Sequence, residues 1–515
     1  MKFEWNKALY RILIIATFVA LNALLLFGIG AVWTFFNTGA DRASMLHLQT
    51  NTEEVYAPKL NWIRTKNPGR AMENQTLKEI TNDYINAWHV RNIAYEKNDS
   101  YGIKDFYTDS ARIKLYQNID LNAKNNTHYK RTTLSHNTAL DFYSDDGTLV
   151  VFKDYHVEEY QEVYIDNQLF LKEKDTNSYH VMMLLEDGFW RIRHLNTIEN
   201  QLDTTKFIAP NIAHNNTKIE RIKGINYYPK DTPWDTFGAH FNTNIINKDF
   251  NTIQSMGLNT IRIFIGYEDF GKNKVDQKKL DALKKLLDAA EHNHLDVMVT
   301  LFDFYGAYDV SNWTLTHRHA ETIVKAIKNH PALLAWDLKN EPDLDFKTRG
   351  RSTVIPWLEQ MIEQIKKWDQ NHPITIGWSS PEAAVELADK VDFVSYHYYR
   401  KASDFKNAHE VLTSKVPNKP KVLQEYGMSS YKGIWNAYTG ANKQGQLKYY
   451  TEMQKIVSEN KIPYMFWTLY DFKKVPRSVA GSLPWKTKKQ HYFGCIDTLG
   501  NKKPAYKVLV HKNPN

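Results

Sequence analysis

"WDLKNEPD", residues 336–343, decides the fold. It ends an apolar run, "PALLAW", on an Asp, a Lys, an Asn and a Glu, and Pro342 then stops it. Proline cannot donate to a strand ladder, so a buried strand here terminates at a carboxylate. Alone, such a tip is either a solvated strand-to-helix turn or an acid presented to a substrate. The neighbouring segments choose between the two.

Outward from this stretch, strand-like and helix-like runs alternate. "IKGINYY", "LNTIRIFI", "LDVMVTLFD", "ALLAWDLKN", "PITIGWSS", "VDFVSYHYY", "KVLQEYG" and "IPYMFWTLYDF" read as eight strands. Amphipathic runs separate them. The clearest is "KKLDALKKLLDAAEHNH", with Leu280, Leu283, Leu286, Leu287 and Ala290 on one face. This alternation predicts an α/β fold, a (β/α)8 TIM barrel over residues 220–515. An open doubly wound sheet is the alternative, and no glycine-rich phosphate turn follows the first strand.

Chemistry in such barrels sits at the C-terminal strand ends. The predicted tips carry Asn226, Tyr227 and Tyr228, then Arg262, Asp303, Asn340 with Glu341, His397 with Tyr399, Glu425, and Trp467. Polar and aromatic groups behind so many apolar strand bodies point to a site. Strands 4 and 7 lie across the mouth of such a barrel, so Glu341 and Glu425 are expected to face one bond from two sides, as cleavage of a glycosidic bond requires: one carboxyl protonates the leaving oxygen, the other attacks the anomeric carbon. An apolar setting for Glu341 and hydrogen-bond donors on Glu425 are expected to separate their protonation states. Arg262 and Tyr399 are candidate donors to Glu425, Asn340 a candidate partner for a sugar hydroxyl, and Trp467 a flat platform for a sugar face. Asp303 is either a substrate-binding group or a helix N-cap. Tyr227, Tyr228, Trp234 and Trp378 either line a groove or pack loops.

In order along the chain, "GLNTIRIF", "WDLKNEPD", "VSYHYY", "LQEYG" and "FWTLYDF" resemble the motifs of a clan A glycoside hydrolase, most similar to family 5, the cellulase and mannanase type. The resemblance covers residues from about 222 to 512. It implies Glu341 as acid/base after Asn340, Glu425 as nucleophile, Arg262 as support for that nucleophile, His397 and Tyr399 as an H-x-Y pair, and Trp467 in a sugar subsite. It also implies a retaining mechanism through a covalent glycosyl-enzyme, with no metal and no cofactor. The tail "GCIDTLGNKKPAY" resembles the catalytic barrel of family 2 as well.

The N-terminus carries a different signal. Ile12 to Phe36 holds no charged residue, enough to cross a hydrocarbon core of about 30 Å. It exceeds the apolar core of a cleaved signal peptide, about 7–15 residues. Lys2, Lys7 and Arg11 precede it, so the expectation is a single-pass membrane anchor with the N-terminus cytoplasmic and the rest periplasmic or extracellular.

Between anchor and barrel, residues 41–70 read as a linker containing "KNPGR", and 203–219 as a polar connector. Residues 71–202 read as helices followed by alternating strands with turns at "SDDG" and "EDG". That order, closing on "DGFWRIRHL", resembles the NTF2-like α+β superfamily and implies a spacer, a binding module or a self-association surface.

Composition bounds the rest. Of 515 residues, 14 are Trp and 30 Tyr, ample for large cores and for sugar contacts. The net charge of +8 is scattered, with no basic stripe for nucleic acid. Cys495, the only cysteine, cannot make an internal disulfide or a thiolate metal site. The expected function is a membrane-anchored retaining glycosidase acting on β-linked envelope or extracellular polysaccharide, such as a β-glucan or β-mannan. A transglycosylase in polysaccharide assembly and a non-catalytic carbohydrate-binding protein are the alternatives.

Overall fold

The computed structural model describes residues 5–38, 54–63, 69–199, 217–433, 442–480 and 484–511. Helix α1 spans Trp5–Thr38. Its described side chains, residues 13–29, are all exposed. Among the described residues no helix is long and apolar enough to cross a membrane. The apolar run read from the sequence, 12–36, extends past that described stretch at both ends.

The first folded layer is a six-stranded sheet with helices on one face. Its strands are β1 (Lys59–Ile63), β2 (Thr127–Thr133), β3 (Ser135–Tyr143), β4 (Leu149–Ile165), β5 (Gln168–Glu186) and β6 (Phe189–Ile198), in the order β1-β3-β4-β5-β6 with β2 also on β4. Helices α2 (Asn74–Lys97) and α3 (Asp109–Lys124) cover the inner face. Ile80, Tyr84 and Trp88 of α2 pack there with Val150, Phe152, Val181 and Trp190 of the strands. The expected 41–70 linker needs correction. Within it, Lys59–Ile63 pairs in parallel with β3, and Tyr56 is buried. The alternation "KLNWI" is too short to distinguish from a polar linker until β3 supplies its partner.

The outer face of β4 turns toward the barrel. A register shift between Asp154 and Val157 re-aims the strand. Glu159 then faces inward, where Tyr179 of β5 donates to it. Tyr160 faces outward, 4.3 Å between ring centroids from Trp313. Beside it Glu158 accepts from Gln364 Nε2 at 2.7 Å and pairs with Lys367. Lys59 pairs with Glu321 at 2.5 Å. The expected connector 203–219 lies outside the described residues up to 216; of the remainder, Ile219 is buried.

The second unit is a closed, all-parallel eight-stranded barrel: β7 (Lys223–Asn226), β8 (Thr260–Gly266), β9 (Asp296–Asp303), β10 (Leu333–Asn340), β11 (Ile374–Trp378), β12 (Val394–Tyr398), β13 (Lys421–Tyr426) and β14 (Tyr464–Phe466), which returns to β7. Helices α4 (Thr243–Ser255), α5 (Gln277–His292), α6 (Trp313–Ile327), α7 (Arg351–Trp368), α8 (Ala402–Lys415) and α9 (Lys443–Glu459) lie between strands. Helix α5 shows the local logic. Asp276 caps it by accepting from the Lys278 and Lys279 amides, and Leu280, Leu283, Leu286, Leu287 and Ala290 are buried. Both faces of each strand are covered, so the strand bodies are apolar. A charged residue inside one therefore has to find a partner within the barrel.

Candidate active site

That requirement is met at one centre. Arg262, fully buried on β8, reaches five side chains. Its Nε donates to Thr300 Oγ1 and Asp337 Oδ2, both at 3.0 Å. Its Nη2 donates to Asp337 Oδ2 at 2.6 Å and Asn340 Oδ1 at 2.9 Å. Its Nη1 donates to Asn226 Oδ1 at 3.0 Å and Glu425 Oε2 at 3.1 Å. Only a planar guanidinium presents donors in such a fork. The fork also needs an empty space on β11. A Cβ at Gly377 would lie 2.8 Å from Arg262 Nη2 and 2.5 Å from Gln424 Oε1.

Irregular strand ends aim the remaining groups. Register shifts fall between Phe264 and Gly266 on β8, Asp337 and Asn340 on β10, and Tyr396 and His397 on β12. Glu341 follows β10 with φ +47° in the left-handed region, and Pro342 ends the extended chain. Its Oε1 sits 2.8 Å from His397 Nδ1. The far side of the same imidazole, Nε2, lies 3.2 Å from Gln424 Oε1 and 3.8 Å from Glu425 Oε2. Tyr399 donates its hydroxyl to Glu425 Oε1. Glu425 thus accepts hydrogen bonds on both oxygens, one from Arg262 and one from Tyr399.

The electrostatics of Glu341 differ from the sequence expectation of an apolar acid. Burial pushes its carboxyl up. The hydrogen bond and charge of His397, then Arg262 and Lys339, outweigh this and hold it below the usual range. His397 responds inversely: burial pulls it down, but Glu425 and Glu341 hold it above its ordinary value. One 2.8 Å hydrogen bond thus joins a carboxyl held down to an imidazole held up.

These groups open into a cleft of about 830 Å³. Tyr228, Phe264, Trp467 and Phe472 form an aromatic cluster with Trp234 packed against it. Tyr228 and Phe264 stack at 5.1 Å, and the Trp234 and Trp467 rings lie 6.2 Å apart. Asn340 also lines the cleft, although its carbonyl oxygen is taken by Arg262. Asp303 ends β9 in the cleft wall and accepts from Tyr228 Oη at 3.2 Å. It caps no helix: the cap of the turn preceding α6 is Asp309. Burial pushes its carboxyl up to about 6, against Lys339 and Arg262.

The structure therefore brings Arg262, Asp303, Asn340, Glu341, His397, Tyr399, Glu425 and Trp467 to one cleft or its floor. Of the undecided aromatics, Tyr228 and Trp234 line it. Tyr227 instead donates to Asp249 at 2.8 Å, and Trp378 is buried in the main core. Sequence reasoning missed Asp337, Thr300, Gln424 and Lys339. Asp337 had a signal: an acid inside an apolar strand, matching Arg262 inside another. Thr300 and Gln424 had none, because small polar residues in strands are ordinary.

Residues 221–473 match the family model "Cellulase (glycosyl hydrolase family 5)". Curated relatives include a mannan endo-1,4-β-mannosidase A from Emericella nidulans, 22% identical, covering 40% of this chain and 67% of that protein. A β-glucuronidase from Streptococcus agalactiae is 26% identical, covering 46% and 44%. Another from Chlorocebus aethiops is 23% identical, covering 48% and 39%; the chain spans less than half the length of these two β-glucuronidases. Among solved structures, the exo-β-1,4-mannosidase of Opitutaceae bacterium strain TAV5 aligns with a TM-score of 0.46 and 20% identity, over 56% of this chain and 57% of that one. The family match and the curated relatives support an O-glycosyl glycoside hydrolase.

Proposed function

We propose that the protein is a membrane-anchored retaining glycoside hydrolase. It cleaves β-glycosidic bonds in an envelope or extracellular polysaccharide of the β-glucan or β-mannan type. One observation carries this reading: a single imidazole, His397, lies between two carboxyl groups at 2.8 Å and 3.8 Å in one cleft. Two carboxyls beside one scissile bond are what glycoside hydrolysis uses, with a separation of about 5–5.5 Å for retention.

In this mechanism Glu425 attacks the anomeric carbon while Glu341 gives a proton to the departing oxygen. The C–O bond breaks, the aglycone leaves as an alcohol, and the sugar is held as an ester of Glu425. Water then attacks, Glu341 takes its proton, and Glu425 is released. Arg262 and Tyr399 fix the orientation of Glu425, and the hydrogen bond to His397 fixes that of Glu341. Trp467 and its aromatic neighbours supply the platform for the sugar face.

Helix α1 serves as the membrane anchor in this reading, and the α+β unit, read as NTF2-like, holds the barrel away from the bilayer. The test is a screen of β-glucans, β-mannans and aryl β-glycosides with the detergent-solubilised full chain. Release of reducing sugar or aryl alcohol with β-configured first product is expected. Inversion of configuration, or inertness to the whole panel, overturns the proposal.

A further inference from the structure

Lys339 is a buried charge in the cleft wall that the mechanism leaves unused. It immediately precedes Asn340 and Glu341, its side chain is 5% exposed, and it lines the cleft. An ammonium has three N–H donors. Within the described residues, Nζ makes one hydrogen bond, to the Asn340 carbonyl at 3.1 Å, and Asp345 Oδ2 stands 3.8 Å away. Asp303 is buried in the same wall, and within the described residues its one hydrogen bond is from Tyr228 to Oδ2. Lys339 and Asp303 feel one another's charge, yet no ion pair joins them. A buried donor and a buried acceptor thus line the cleft with capacity to spare, Asp303 beside the aromatic cluster through Tyr228. Leaving such groups unmade is costly, and a ligand that satisfies both gains that cost back.

We infer that Lys339 and Asp303 form a donor–acceptor pair that binds neighbouring hydroxyls of the sugar in the reacting subsite, and that this subsite excludes uronic acids. The inference rests on the glycosidase reading and deepens it by naming two groups that bind the reacting sugar and the charge they select against. The charge balance decides the second half. Asp303, Glu341, Asp345 and Glu425 all line the cleft. Arg262 lies below them, already bonded to Asp337 and Glu425. Lys339 is the one buried cation in the described cleft wall, and it already stands beside the acids; Arg349 and Lys489, the other basic residues of the lining, are exposed. A further carboxylate on the reacting sugar would enter a low-dielectric space with an excess of negative charge. A neutral sugar offers hydroxyls that donate to Asp303 and accept from Lys339 without adding charge.

The test compares p-nitrophenyl β-D-glucoside, β-D-mannoside and β-D-glucuronide as substrates of the detergent-solubilised full chain and of Lys339→Met and Asp303→Asn. The best neutral glycoside is expected to exceed the glucuronide by at least about 100-fold in kcat/KM, the size of a two-group hydrogen-bond discrimination. Lys339→Met is expected to lower kcat/KM on the neutral sugar by about 10- to 100-fold. Asp303→Asn, by removing a negative charge, is expected to raise the ratio of glucuronide to neutral turnover. A merely structural role would lower both alike. A glucuronide turned over as well as the neutral sugars overturns this inference and leaves the glycosidase reading standing. So does a Lys339→Met protein with unchanged kcat/KM. Inertness to all three aryl glycosides, together with no labelling of Glu425 by 2-fluoro glycosyl fluorides, overturns both.

Discussion

Arg262 bridges Asp337 and Glu425: its Nη2 stands 2.6 Å from Asp337 Oδ2 and its Nη1 3.1 Å from Glu425 Oε2. One cation therefore compensates two carboxylates at the buried floor of the cleft. Removing it leaves an uncompensated buried charge, which costs about 3–5 kcal/mol. Arg262→Met is expected to lose stability of that order in urea unfolding. Arg262→Lys is expected to recover part of the stability and little of the kcat/KM, since a point charge cannot hold both acids and Asn226 together. Equal recovery of both quantities would argue that the fork is only a structural clamp.

Gly377 supports the same fork from the neighbouring strand. In Gly377→Ala the added methyl would lie 2.8 Å from Arg262 Nη2 and 2.5 Å from Gln424 Oε1, so those side chains must shift. Overpacking of this kind costs about 1–3 kcal/mol. The shift falls on the group that holds Glu425, so kcat/KM is expected to drop further than the unfolding midpoint implies. Parallel urea titration and steady-state kinetics make the comparison.

The barrel and its acids were legible in the sequence because each strand tip breaks an apolar run in the same way. "WDLKNEPD" gave away Glu341, and "LQEYG" Glu425, by position at strand ends. Lys339 sat in the quoted stretch and was given no role. The charges it feels, Asp303 at the end of β9 and Asp345 beyond Pro342, lie outside the strand, and no local pattern reports that they meet it. The apolar setting expected for Glu341 failed for a related reason: His397 arrives from β12, 56 residues away. The contact of Tyr160 with Trp313 was equally hidden, since alternation along β4 identifies two faces without saying what covers the outer one.

The Glu341–His397 pair ties activity and stability to pH. His397 is raised from 6.5, so its contribution is fully present below 6.5 and is lost as pH rises through its folded value. Glu341 is lowered from 4.5, so its contribution is present above 4.5 and is lost as pH falls. The pair thus stabilises most between those values. His397→Gln removes the charge that holds Glu341 down while leaving its burial, so the Glu341 carboxyl rises. The alkaline limb of kcat/KM, where the acid loses its proton, is expected to move to higher pH. A profile that only falls in height, without moving, would sink the pairing.

Asp303 carries the opposite linkage. Burial lifts its carboxyl from 3.8 to about 6. Between those values the folded chain keeps a proton that the unfolded chain has lost, so stability falls as pH rises through the window. The gap corresponds to roughly 3 kcal/mol of stability absent at neutral pH. Asp303→Asn has no such ionisation. Its Tm is expected to exceed that of the parent at pH 7.5 and to approach it at pH 4, while turnover falls. Thermal melts of both proteins across this range check the sign.

The two glutamates are separable by chemistry at each half of the reaction. Glu425→Ala removes the attacking oxygen, so no glycosyl-enzyme forms and a 2-fluoro glycosyl fluoride labels nothing. Glu341→Ala removes the proton donor. It is expected to slow glycosylation strongly for poor leaving groups and much less for activated aryl glycosides, whose phenolates depart unprotonated. The ester on Glu425 then waits for water that no base activates. Azide needs no base: it attacks the anomeric carbon of the trapped intermediate, displaces Glu425, and leaves a glycosyl azide. Two inversions give overall retention, so the product expected from Glu341→Ala is the β-glycosyl azide, with turnover rising as azide is added. An α-azide from that variant, or a 2-fluoro label on Glu341 in the parent, would exchange the two roles.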